Sequence, residues 1–346
     1  MNEFGSSCFE NVAYVNLDGN PAMREQFELG YDIERIVSAI QFETGQVVRE
    51  DKTLVVLDEI QECPKALTSL KCFCENAPGI AVAAAGSLLG LTAHEGMGYP
   101  VGKVDTLDLY PLSFREFLHA IGSDSLAGLL NTGDANTVSS FSSRFVPLLR
   151  RCYYVGGMPE AVAAFLENGL LEEARAAQEE ILLGYERDIS KHLSRTETEY
   201  ALAAWNSIPS HLGRENKKFV FGHITEGARS RSYRSGIAWL VQADVATKAR
   251  RISKPDVPLR SYANGGAFKL FLPDVGLLGA MVQLGREAVI GGSAIFEEPK
   301  GALTEQYVCQ QLVSDCGLVP YYWSAENSSG EIDFFVQDGA ACSPWK

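Results

Sequence analysis

Three short apolar runs, separated by stretches of helical spacing, limit what this chain can fold into. Residues 12–17 (VAYVNL), 54–57 (LVVL) and 80–85 (IAVAAA) are short and apolar, as buried strands are. The stretches between them, PAMREQFELGYDIERIVSAI and KALTSLKCFCENA, place apolar residues three and four apart. Strand and helix alternating at this interval predict an α/β fold, a parallel sheet with helices on both faces. A further strand is expected at 105–109 (DTLDL), then a helix in LSFREFLHAI whose Ser113 and Glu116 fit a capping box.

At 346 residues the chain exceeds one ordinary core, so several domains are expected. Residues 122–138 are rich in Gly, Ser, Asn and Asp and read as a loop and a domain edge. Residues 139–195 carry helical spacing broken by Gly156, Gly157 and Pro159, the pattern of a helical bridge. From 199 to about 260, short helical patterns end in a basic strand, TKARRIS, the layout of a winged helix. The last part holds FKLFLPDVGLLGAMV, a helix in ALTEQYVCQQLVSD, and strands flanking a loop in YYWSAENSSGEIDFFVQDG. The expected division is 1–122, 123–195, 196–262 and 263–346.

No apolar run approaches the roughly 20 residues of a spanning helix. The first residues have neither a basic start nor an apolar stretch of signal length, so a cytoplasmic protein without membrane contact is expected. Eight cysteines with no C-x-x-C pair read as reduced thiols rather than a metal site. A net charge of −14 argues against coating nucleic acid with the whole surface. Residues 211–260 nonetheless hold eleven Lys and Arg against four Asp and Glu. Arg229, Arg231 and Arg234 lie at two and three spacing in one predicted helix, flanked by Lys217, Lys218, Lys248, Arg250 and Arg251. On a winged helix they would give salt-sensitive, mainly non-specific contact with a phosphate backbone. Pairing with acidic surface, here or on a partner, is the other reading.

The run at 54–57 leads directly into Asp58 and Glu59. The carboxyl edge of a parallel strand is where open α/β sheets bind ligands. In nucleotide hydrolases built this way, the first acid holds Mg²⁺ through water and the second activates the attacking water. Capping of the next helix is the plain alternative. The phosphate partner, G-x-x-x-x-G-K-[ST], does not occur in the sequence. Residues 98–103 (GYPVGK) are one residue short between glycines, are followed by Val104 in place of a hydroxyl, and come after the acidic strand.

The blocks LVVLDEIQECPKALTSLKCFCENAP, AAAGSLLG, HEGMGYPVGKVDTLDLYPLSFREFL, YYVGGMPEAV, GARSRSYRSGIAWL and AFKLFLPDVGLLGAM resemble the bacterial and archaeal AAA+ family ATP-binding proteins that carry a C-terminal domain of unknown function. The likeness covers nearly the whole chain. It implies a P-loop NTPase-type core at 1–122, the helical bridge, the winged helix, and a partial restriction-nuclease-like domain at 263–346, with ATP and Mg²⁺ as cofactors. By the same resemblance Asp58 holds the metal and Glu59 is the water-activating base. Ser87 matches the sensor that hydrogen-bonds γ-phosphate or water, a role compatible with capping a helix; Lys103 falls in a shared block and could approach phosphate, a solvated surface charge being the plain alternative. In that family a loop ending G-K-T-T precedes sequence like EFGSSCFENVAYVNLD. It would lie just upstream of Met1, so the chain reads as truncated and its ATP binding as weak or absent.

The family's terminal domain gathers a metal with a helix glutamate, an acid after one strand and an E-x-K on the next. Glu305 and Asp333 match, with Glu331 beside them, whereas AACSPWK replaces the E-x-K strand. Two carboxylates make a poor metal site. Three functions therefore stand in order: Mg-ATP hydrolysis coupled to a DNA- or protein-binding module, a non-enzymatic nucleic-acid or protein binder, and a metal-dependent nuclease. The altered strand also predicts an open sheet edge in the tail. A homo-oligomer follows only by analogy of fold.

Overall fold

The computed structural model describes residues 1–86, 102–214, 217–291, 297–325 and 330–345. The chain divides into two compact units, Met1–Asp108 and Leu109–Lys346.

In the first unit, β1 (Asn11–Asn16), β2 (Thr53–Asp58) and β3 (Ala81–Ala84) form a parallel sheet with β2 in the centre. The helices are α1 (Asn2–Cys8), α2 (Pro21–Glu28), α3 (Ile33–Thr44) and α4 (Pro64–Asn76). Ala13 pairs with Val55 and Val15 with Leu57, and these four are buried in one core with Met23, Phe27, Ile36, Ile40, Leu67 and Phe73. Fully burying such aliphatic side chains contributes about 1.5–3 kcal/mol each. Strand alternation puts Val12, Tyr14, Leu54, Val56 and Asp58 on the opposite face. There Gly5 of α1 lies against Val12 and Leu54, and a Cβ on it would come within 2.4 Å of a Val12 methyl. Helices thus cover both faces, and the fold is α/β as the strand spacing predicts.

The expected strand at 105–109 is absent. Leu107 and Leu109 are 83% and 88% exposed, so the apolar side of DTLDL has nothing to bury against and the segment is irregular.

The second unit begins with α5 (Phe114–Ala120), which has the expected capping box between Ser113 and Glu116. The expected loop at 122–138 is largely two helices, α6 (Asp124–Asn131) and α7 (Ala135–Ser140). Its polar residues are caps and outer faces: the Asp134 carboxylate accepts from Asn136 N, while Leu126 and Ala127 are buried. Next come α8 (Ser142–Val155), α9 (Pro159–Asn168) and α10 (Leu171–His192), broken at Gly156 and Gly157. They are followed by α11 (Arg195–Asn206), α12 (Ile208–Leu212) and α13 (Ser230–Gln242).

A five-stranded sheet closes the unit. It contains β4 (Thr247–Ile252), β5 (Ala263–Phe271), β6 (Tyr321–Ser324), β7 (Glu331–Asp338) and β8 (Ala341–Trp345), in the order β5-β4-β6-β7-β8. The helices α14 (Val275–Met281), α15 (Arg286–Ile290) and α16 (Glu297–Ser314) lie between β5 and β6 in sequence. The strands β4 and β5, expected on either side of a boundary at 262/263, pair antiparallel, and β4 also pairs in parallel with β6. The tail's open edge is not at β7, because β8 pairs with it; Pro344 suits the edge strand that results.

The break between α8 and α9 is fixed by one buried carboxylate. Asp274 accepts from Gly157 N at 2.6 Å, from Leu277 N at 3.0 Å and from Gln310 Nε2 at 3.0 Å. Burial pushes its pKa up, and these N–H donors oppose that shift. All eight cysteines are free. Among the described residues no helix is long and apolar enough to cross a membrane.

Candidate functional site

The ends of the first sheet are held level by its backbone. Leu17 N donates to Asp58 O, Ala85 N to Leu57 O and Ile60 N to Ala85 O, each at 2.9 Å. Asp58 and Glu59 therefore leave the central strand at the carboxyl edge of the sheet, both half-buried. Asp58 Oδ2 accepts from the Tyr14 hydroxyl at 2.5 Å, and Oδ1 accepts from Glu59 N at 3.1 Å. The bond to Asp58 holds the Tyr14 pKa above the ordinary phenol value. Glu59 has a left-handed backbone, φ 51° and ψ 44°, which is uncommon for a residue other than glycine. It turns the chain sharply into the short helical turn Ile60–Glu62, where Gln61 Nε2 donates to Glu59 Oε2.

Glu59 precedes the Ile60–Glu62 turn without a side-chain cap bond, and α4 starts at Cys63 with none either. The two acids are oriented by Tyr14 and Gln61, neither of which sequence reasoning singled out. A tyrosine on the strand beside LVVLDE, at the polar-facing alternation, was the available signal.

Ser87 lies outside the described residues. Lys103 does not join the acids: its Nζ pairs with Glu75 Oε1 at 3.3 Å, in the last turn of α4. A crossover helix runs antiparallel to the strands it joins, so that turn stands at the opposite edge of the sheet from Asp58.

Residues 1–118 match a family described as an AAA domain. Residues 146–288 match a domain of unknown function, DUF8612. A solved structure, the Walker-type ATPase PABY2304 of Pyrococcus abyssi, is similar with a TM-score of 0.41 and 11% identity, over 73% of this chain and 67% of that one. No curated protein matches. Carboxylate oxygens at a sheet edge are of the type Mg²⁺ takes, and one or two suffice when water and phosphate complete its shell.

In the second unit the remaining predicted residues separate into two groups. Arg229 stands at the start of α13, with Arg231 and Arg234 in its first turns; these three and Arg250 are exposed and make no ion pair among the described residues. Lys248 instead lies over the Phe268 ring at 4.1 Å, where burial lowers its pKa. Arg251 Nη2 donates to Ser324 O at 2.7 Å, and Lys217 pairs with Glu305. Of the basic residues expected to face a phosphate backbone, Arg229, Arg231, Arg234 and Arg250 are thus the exposed ones.

Glu305 of α16 does meet Glu331 and Asp333 of β7, around a lysine that sequence reasoning missed. Lys269 of β5 is 0% exposed, and its Nζ lies 2.6 Å from Glu331 Oε1, 3.3 Å from Glu305 Oε2 and 3.7 Å from Asp333 Oδ1. Burial pulls the Lys269 pKa down, but the three carboxylates outweigh it and the net shift is upward. A lone cation inside the apolar strand FKLFL was the signal in the sequence. Among the described residues no group of three or more His, Cys, Asp or Glu is arranged to hold a metal.

Proposed function

We propose that the AAA domain takes a Mg²⁺-nucleotide at the carboxyl edge of β1–β3, with Asp58 and Glu59 in the Walker B roles. The observation that carries this is the acid pair itself: it leaves the central strand, makes no side-chain cap bond to the following turn and is aimed by two neutral donors. Asp58 would hold the metal, with Tyr14 fixing its carboxylate. Gln61 fixes Oε2 of Glu59, which leaves Oε1 to take the proton of an attacking water. Bound Mg²⁺ would neutralise phosphate charge and polarise the phosphoryl group. The 346 residues contain no G-x-x-x-x-G-K-[ST], so lysine and loop amides for the β- and γ-phosphates are not supplied by that motif. Affinity for Mg-ATP is accordingly expected near ~1 mM, about −4 kcal/mol. Titration of the wild type and Asp58→Asn with Mg-ATP tests this, and an affinity indifferent to Asp58 would remove the proposal.

The second unit supports a coupled binding role. On this reading its winged-helix-like segment, residues 196–262, offers the exposed arginines of α13 to a phosphate backbone. Changing Arg229, Arg231 and Arg234 together to alanine is expected to weaken duplex-DNA binding and lower the salt slope by about two to three. Fluorescence anisotropy at two salt concentrations measures both. Wild-type protein that shows no binding even at low salt would leave a protein partner as the only target for this face.

A further inference from the structure

Glu305, Glu331 and Asp333 are the carboxylates that a restriction-nuclease-like domain would turn on a divalent cation. Here that role does not fit them. The centre they converge on is filled by the Lys269 ammonium, which touches Glu331 and Glu305 directly and lies 3.7 Å from Asp333. Lys217 takes the other oxygen of Glu305. Three carboxylates therefore face two ammonium groups, and a divalent ion entering the same space would meet a buried positive charge.

The cluster still has the form of a cation site. Its carboxylates come from a helix and a strand that converge, its centre is closed to solvent, and the Tyr322 ring lies 5.0 Å from Nζ. The Tyr322 hydroxyl is buried and has no hydrogen-bond partner among the described residues.

We infer that Lys269 is the resident cation of this carboxylate cage, that the native chain takes no divalent metal there, and that removing the ammonium turns the cage into a divalent-cation site. Lys269 thereby ties α16 to β5 and β7, and Lys217 extends the tie to the segment after α12. The ligand class after removal is a hard, oxygen-seeking dication such as Mn²⁺ or Mg²⁺.

The test is Mn²⁺ binding by electron paramagnetic resonance, with melting temperature as a second readout. The full chain carries Asp58→Asn so that the AAA edge is silent. With Lys269 present, no saturable Mn²⁺ site that depends on Glu331 is expected. Lys269→Met and Lys269→Gln should each gain one saturable site and melt at higher temperature with Mn²⁺, and adding Glu331→Gln should weaken that site at least tenfold. A Glu331-dependent Mn²⁺ site in the lysine-containing protein would overturn the inference. So would Lys269 variants that neither bind Mn²⁺ nor are stabilised by it, including variants that stay unfolded in its presence.

Discussion

Asp274→Ala is expected to destabilise the second unit by about 3–5 kcal/mol, the cost of stripping buried N–H donors of their acceptor. The carboxylate is buried, and its oxygens receive Gly157 N, Leu277 N and Gln310 Nε2. Removing it leaves two backbone N–H groups and an amide without their acceptor inside the protein, each costing about 1–3 kcal/mol. It also frees the start of α14, where Asp274 is the N-cap. Asparagine, ordinarily an equal cap, should not rescue. Oδ2 meets two donors and Oδ1 a third, so either orientation of the amide points an N–H₂ at an N–H. Thermal unfolding followed by circular dichroism should show a fall on the order of 10 °C for both variants. An Asn variant as stable as wild type would show that the donors are dispensable.

Gly156→Ala is expected to cost about 2–5 kcal/mol, by two additive mechanisms. Gly156 has φ 74° and ψ −165°, a region open almost only to glycine. A Cβ there would lie 2.1 Å from Asp274 Oδ1. Combining Gly156→Ala with Asp274→Ala removes the clash but not the backbone strain, so the double variant should be more stable than the sum of the singles by about 1–2 kcal/mol. Urea unfolding of the four proteins in that cycle gives the coupling directly. Strict additivity would mean that the glycine and the carboxylate act independently, against the packing described.

The parts of the fold that local pattern controls were legible. The runs VAYVNL, LVVL and IAVAAA became β1, β2 and β3 because each is short, apolar and flanked by amphipathic helices that cover it. The capping box at Ser113 and the break at Gly156 and Gly157 were likewise local. DTLDL misled because alternation predicts a strand only where a neighbouring strand and a buried face exist, and Leu107 and Leu109 have neither. Residues 122–138 misled in the other direction, since Asp, Asn and Ser at helix starts and on outer faces look like loop residues.

The site was half legible for the same reason. Asp58 and Glu59 stand in an abrupt change from apolar to charged, which sequence displays. Tyr14 reaches Asp58 across 44 positions, and Lys269 reaches Glu331 across the sheet from β5 to β7. Such contacts are made by strand order and register, which no local period encodes. Lys103 shows the converse: a lysine in a suggestive block is carried by α4 to the far edge of the sheet.

On the function proposed, Asp58 and Glu59 form the metal side of a nucleotide site at the carboxyl edge of β2. The most direct test is titration of Mg-ATP into the 346-residue chain, followed by the nucleotide's NMR shifts, in wild type, Asp58→Asn and Glu305→Gln. Weak binding is expected in wild type, with a dissociation constant of ~1 mM, at least tenfold weaker in Asp58→Asn and unchanged in Glu305→Gln. Micromolar affinity, or binding that Asp58→Asn leaves intact, would contradict it.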